Sequence, residues 1–167
     1  MSAAHLHIAL NVSLNYATVF SIILLGTLLW KRWDRGVLYS AWAILLVGGA
    51  LGLIAAIAGL LAQREVVGEP GAAPAMIAVH LPRAIIAAAL YYFTTFMVWR
   101  TYKETAEDVG PLRRRRITFL FGLSLITLIA LFWTSVAGSN IRHSEVRGDA
   151  LSRALNPELG VPGEEGR

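Results

Sequence analysis

The sequence predicts an all-α integral membrane protein, a four-transmembrane-helix bundle with both termini on the outer (periplasmic) side. Three observations carry that expectation. The chain of 167 residues is 56% hydrophobic and only 16% charged, with a mean hydropathy of +0.57, whereas a water-soluble domain carries about 25% charged residues. The apolar residues gather into four blocks, each near the roughly 20 residues that cross a bilayer. The basic residues collect on one side of those blocks, as the positive-inside rule requires.

The blocks run about Leu6–Trp30, Val37–Ala62, Met76–Trp99 and Ile117–Gly138. Backbone groups in lipid must find their partners within the segment, so each block is expected to be a helix. Residues 1–140 thus form one membrane domain and 141–167 a polar extramembrane tail.

The first block has no basic residue before it and ends in "KRWDR" (Lys31 to Arg35). It reads as a retained helix and not as a cleaved signal peptide. His7, Asn11, Asn15 and Thr18 recur at helical spacing, and polar groups in lipid turn towards the bundle interior. Asn11-Val12-Ser13 matches a glycosylation sequon, which its place within the helix makes coincidental.

In the second block Gly48, Gly52 and Ala56 fall four apart, with Gly59 one heptad beyond Gly52. Small residues at this spacing let backbones approach closely. No strand precedes them, so they do not read as a nucleotide loop.

The third block opens on "VHLPRAIIAAALYY" (Val79 to Tyr92), with His80 and Arg83 on the face that also carries Ala84, Ala87 and Tyr91. Pro82 is expected in the first turn of this helix, where its missing N–H would be unpaired anyway. A start nearer Met76 would instead put the proline inside the helix and free a carbonyl near His80.

The fourth block follows "RRRR" (Arg113 to Arg116). Nine basic residues occupy the two loops on that side, against Arg64 in the loop between blocks two and three. A pI near 9.9 therefore reports topology and contact with anionic lipid, and not nucleic-acid binding. Trp30, Trp33, Tyr39, Trp42, Trp99 and Tyr102 share that depth as an aromatic belt. In the tail, "SEVRGDALSRAL" (Ser144 to Leu155) could form a short amphipathic helix ordered by a partner.

The chemistry available is narrow. There are no cysteines, which removes disulfides, thiolate catalysis and cysteine-held clusters. None of the common catalytic motifs occurs, and no acidic residue lies within the four blocks, which argues against an ion pump or proton relay. The histidines remain. His5, His7, His80 and His143 all map to the outer side. "HLHIALNVSLNY" (His5 to Tyr16) and "HLPRAIIAAALY" (His80 to Tyr91) share His, Leu, Ala and Tyr at equal offsets, which would make the two hairpins parallel repeats.

Two histidines on separate helices at one depth suit the axial positions of a b-type haem, and Arg83 could neutralise a propionate. The same residues also suit a quinone or lipid-headgroup pocket, or plain anchoring at the interface.

Val79-His80-Leu81-Pro82, supported by Gly48, Gly52 and Gly59, resembles an uncharacterised bacterial family of four-helix membrane proteins in which a "vHFP" motif opens a helix. The likeness spans about residues 5–100. The chain departs from the pattern in two ways: Arg83 replaces an apolar residue, and the motif sits on the third helix instead of the first. Some members of that family are joined to Rieske-type iron–sulfur domains, so the resemblance implies a membrane electron-transfer setting for His80 and for His5 or His7.

The expectation is therefore a small subunit of an electron-transfer complex, respiratory or photosynthetic, in the bacterial inner membrane. One haem b would be held by His80 with His5 or His7 as second iron ligand, and Arg83 and Asn11 would complete the cofactor site. The partners expected are other membrane subunits, lipids and a quinone. A cofactor-free scaffold subunit, built around the glycine face, is the alternative.

Overall fold

A computed structural model describes the backbone of residues 3–30, 33–67, 75–104 and 111–142. Its four helices are α1 (Ala3–Trp30), α2 (Arg35–Val67), α3 (Ala75–Glu104) and α4 (Pro111–Arg142). Each contains a stretch of 28 or 29 residues long and apolar enough to cross a membrane.

The helices run past the apolar blocks at most ends. α4 takes in all four arginines, and α3 continues through Arg100 to Glu104. Hydropathy marks where lipid would stop, but the backbone ladder does not stop there, because Lys, Arg, Glu and Gln are good helix formers. The start of α2 is set by Asp34, whose Oδ1 accepts from the N–H groups of Gly36 (2.7 Å) and Val37 (3.3 Å). That satisfies two of the donors a helix start leaves open. The expected tail helix and His143 lie outside the described residues.

Pro82 is corrected by these bounds. α3 begins seven residues before it, so the proline lies inside the helix. It removes the bond that the Ala78 carbonyl would accept. Ala75 to Leu81 extend the helix outward because alanine, methionine and leucine all favour it.

The bundle is antiparallel and up-down. α1 packs most closely on α2 and α3 on α4, with α1·α4 and α2·α3 closing the ring. α1 and α3 therefore face each other across a diagonal. The start of α1 and the end of α4 share one end, since His80 near the start of α3 bonds Thr134 of α4 and its ring meets His7 of α1.

The interior is small and hydroxylic around a few large side chains. Tyr91, Leu25, Leu38, Leu45, Ile117 and Leu120 are fully buried, and so are Thr18, Ser21, Thr94, Ser124 and Thr127. The threonines return their hydroxyls to the carbonyl one turn back: Thr18 to Leu14, Thr94 to Leu90, Thr127 to Leu123. Thr94 and Thr127 also meet across the α3–α4 interface at 2.8 Å. Large apolar residues such as Phe20, Ile23, Val47, Leu61, Phe93 and Ile129 point outwards. This inverts the arrangement of a water-soluble bundle, where such side chains fill the core.

The glycine face of α2 is used inside the chain. A Cβ on Gly48 would lie 2.4 Å from Ala17 Cβ and 2.6 Å from Tyr91 Oη, and one on Gly52 would strike Leu14 at 2.5 Å. Tyr91 and Tyr92 reach over that face to donate to the carbonyls of Leu45 (2.7 Å) and Gly49 (2.8 Å). α1 and α3 thus pack on this small-residue face within the chain.

The internal echo does not survive folding. Tyr91 is completely buried, whereas its counterpart Tyr16 is 63% exposed. The matched residues face opposite environments, so the two hairpins are not structural repeats at these positions.

Candidate functional site

His7 and His80 stand opposite each other near one end of the bundle. His7 is four residues into α1, about 6 Å along the axis from its start. Its Nδ1 lies 2.7 Å from the Ala55 carbonyl of α2. His80 Nδ1 lies 3.1 Å from the Thr134 carbonyl of α4. A carbonyl oxygen can only accept, so each Nδ1 carries the proton and donates it. In the neutral ring that leaves Nε2 as the atom with a free lone pair, the tautomer used by metal-binding imidazoles held from behind by a backbone carbonyl.

The two rings are 6.4 Å apart between centroids and nearly perpendicular, at 88°. That is too long for a direct N–H···N bond, which would bring the centroids to about 5 Å. The two rings therefore stand apart, each held from behind by its own backbone carbonyl.

Two glycines make room for the rings. A Cβ on Gly59 of α2 would lie 2.7 Å from His7 Nδ1, and one on Gly138 of α4 would lie 3.0 Å from His80 Cε1. Each imidazole therefore rests in a niche that alanine would begin to fill. Among the described residues no group of three His, Cys, Asp or Glu side chains is placed to hold a metal ion. Two imidazoles make half of a tetrahedral site, whereas a haem, which brings most of its own donors, would ask the chain for no more than His7 and His80. The donor set fits that group.

Arg83, one turn deeper than His80, is buried, with 7% of its surface exposed. Its guanidinium sits 4.3 Å over the ring of Trp133, the residue beside the Thr134 that holds His80. The histidine and the arginine thus lean on the same turn of α4. A desolvated cation over an indole face gains about 2 kcal/mol, which helps offset the burial of the charge.

Sequence reasoning brings His7, His80 and Arg83 to one end, and the structure groups them there. Asn11 is half-buried one turn deeper than His7, while His5 is exposed. Further along the same stripe, Asn15 Nδ2 donates to Ser135 Oγ at 3.5 Å. Not foreseen were Gly138, Trp133 and the two carbonyl acceptors. A glycine four residues after Thr134 is a weak signal, and carbonyl acceptors leave no mark in a sequence.

Taken together, these features define a four-helix protein whose helices are fit to cross a membrane, with a carbonyl-held histidine pair near one end. Comparison of the chain with family models, with characterised proteins and with solved structures finds no significant match.

Proposed function

We propose that the chain is a multi-pass protein of the bacterial inner membrane, with both termini outside, serving as a small electron-transfer subunit of a larger complex. It would hold one b-type haem between His7 and His80. The observation that carries this reading is the pair itself: Nδ1 of each ring donates to a backbone carbonyl, and the centroids stand 6.4 Å apart. Arg83 would meet an acidic group of the cofactor, and Asn11 lies on the same side one turn deeper.

A haem held this way supplies reversible one-electron transfer at the iron. The protein's part is to fix both ring tautomers, keep Gly59 and Gly138 clear of the imidazoles, and bury the site. Its position matters as well. His7 is about 35 Å along α1 from Trp30, so one such centre serves the outer side alone, and exchange with a partner there fits better than transfer across the bilayer.

The test is a reduced-minus-oxidised absorption spectrum of the protein purified from haem-replete cells. A b-type α-band is expected, lost in His7→Ala and His80→Ala and kept in His5→Ala. An absent band in the wild-type protein, or a band that survives both substitutions, removes the haem and leaves a scaffold role.

A further inference from the structure

The opposite end of the bundle, away from the histidines, carries a run of arginines. Among the described residues, four of the seven cations there are engaged. Arg35 lies 4.5 Å over the Tyr102 ring and Arg113 lies 4.7 Å over Trp33. Arg100 and Arg116 both reach the Glu104 carboxylate at 2.6 Å. Among the described residues, Arg114 and Arg115 are the arginines of this run whose guanidinium groups meet no carboxylate or ring, and both are exposed.

Two open grooves run beside them. One, of about 500 Å³, is lined by Arg114, Arg115, Thr118 and Phe119. The other, of about 450 Å³, lies between α1 and α4 and is lined by Gly26, Leu29, Trp30, Arg114 and Phe121. Arg114 borders both. The first groove thus sets Thr118 and Phe119 beside the two arginines, and the second is lined by apolar side chains and Gly26 apart from Arg114. Gly26, which lines the second groove, lets the Phe121 ring approach to 3.5 Å from where a Cβ would sit.

We propose that Arg114 and Arg115 bind the phosphate of an anionic phospholipid, whose acyl chains lie in the two grooves on either side. Charge decides the class. Two cations that meet no carboxylate among the described residues favour a headgroup of net negative charge over a zwitterion, and basic pockets between membrane helices are suited to such lipids. Arginine also offers the fork of donors that matches phosphate oxygens. The grooves set the second requirement, a hydrocarbon tail.

The full chain, purified in a neutral detergent, is titrated with dioleoylphosphatidylglycerol, dioleoylphosphatidylcholine or inorganic phosphate, and thermal unfolding is followed. The phosphatidylglycerol should raise the unfolding midpoint in a saturable way, while the other two leave it in place. Arg114→Gln with Arg115→Gln should weaken the apparent affinity about thirty-fold, and Arg114→Gln alone about five-fold. Lys103→Gln, which removes one exposed charge at the same end, should change it by less than about two-fold. Gly26→Leu keeps both arginines but fills the α1–α4 groove, and should also weaken binding. The proposal is overturned if phosphatidylcholine stabilises equally, if inorganic phosphate reproduces the shift, or if Lys103→Gln matches Arg114→Gln. Full affinity in the double arginine variant, or in Gly26→Leu, overturns it as well.

Discussion

Replacing Gly48 by alanine tests how the bundle is held together. The added methyl would sit 2.4 Å from Ala17 Cβ, 2.6 Å from Tyr91 Oη and 3.3 Å from the Ser13 carbonyl. Carbon atoms rest about 3.5–4.0 Å apart, so α1 and α2 must separate by more than 1 Å at this level. No flexible side chain can yield: Ala17 Cβ is fixed to its own backbone, and the tyrosine hydroxyl is tied to the Leu45 carbonyl. Overpacking of this kind costs about 1–3 kcal/mol. Loss of the tyrosine bond adds about 0.6 kcal/mol in a membrane setting. Against this stands the better helix propensity of alanine, about 1 kcal/mol. The net expectation is a loss of about 0.6–2.6 kcal/mol. Gly122→Ala is the internal control, since nothing lies within 4 Å of its Cβ position, and it should be neutral or stabilising. Both are measured by unfolding in mixed micelles with increasing denaturing detergent, followed by far-UV circular dichroism. If Gly48→Ala proves as stable as Gly122→Ala, the close approach of α1 and α2 is wrong, and the packing argument falls with it.

Four further outcomes are expected. Gly59→Ala should push the His7 ring from the Ala55 carbonyl, and Gly138→Ala should press on His80 less severely, since the gaps are 2.7 and 3.0 Å. In haem-loaded protein the first should therefore lose more of the b-type band, and an intact band in Gly59→Ala would refute the niche. Tyr91→Phe removes the hydroxyl that bonds Leu45 and should cost about 0.6–1.7 kcal/mol in the same unfolding assay; no change would mean that the bond contributes nothing. Glu104→Gln should barely move the unfolding midpoint, because ion pairs this exposed contribute little. A large fall would show that the carboxylate anchors the α3–α4 connection. Trp133→Leu should leave the bundle folded but weaken any anionic group held by Arg83, read as a shifted midpoint potential of the bound haem. An unchanged potential would separate Arg83 from the cofactor.

Much of the architecture is legible in the residues. Four apolar blocks without an internal acid specify four lipid-compatible helices, because uncompensated backbone polarity leaves no other structure at that depth. The stripe of His7, Asn11, Asn15 and Thr18 is likewise legible as an inward face, since period 3.6 places those residues together whatever they pack against. The ends of the helices are not. Hydropathy reports the solvent a residue prefers, while the ladder ends where a cap or a proline ends it, so α4 runs back through the arginines to Pro111. The same gap explains Pro82, whose placement depended on a helix start that apolarity alone could not locate.

Composition and periodicity alone determine four helices long and apolar enough to cross a membrane and the inward face of α1, because each follows from a single chain segment. Tertiary structure decides which histidine faces which. His5 and His7 differ by two residues and hence by about 200° around the helix, so only the position of α2, drawn in by Gly48, Gly52 and Gly59, selects His7 for the Ala55 carbonyl and turns it towards His80. The packing on the glycine face, the shared turn of α4 beneath His80 and Arg83, and the two arginines that meet no carboxylate among the described residues are also matters between helices. Pairing across a bundle depends on the distances between segments, and those distances are set by side chains that are far apart in the sequence.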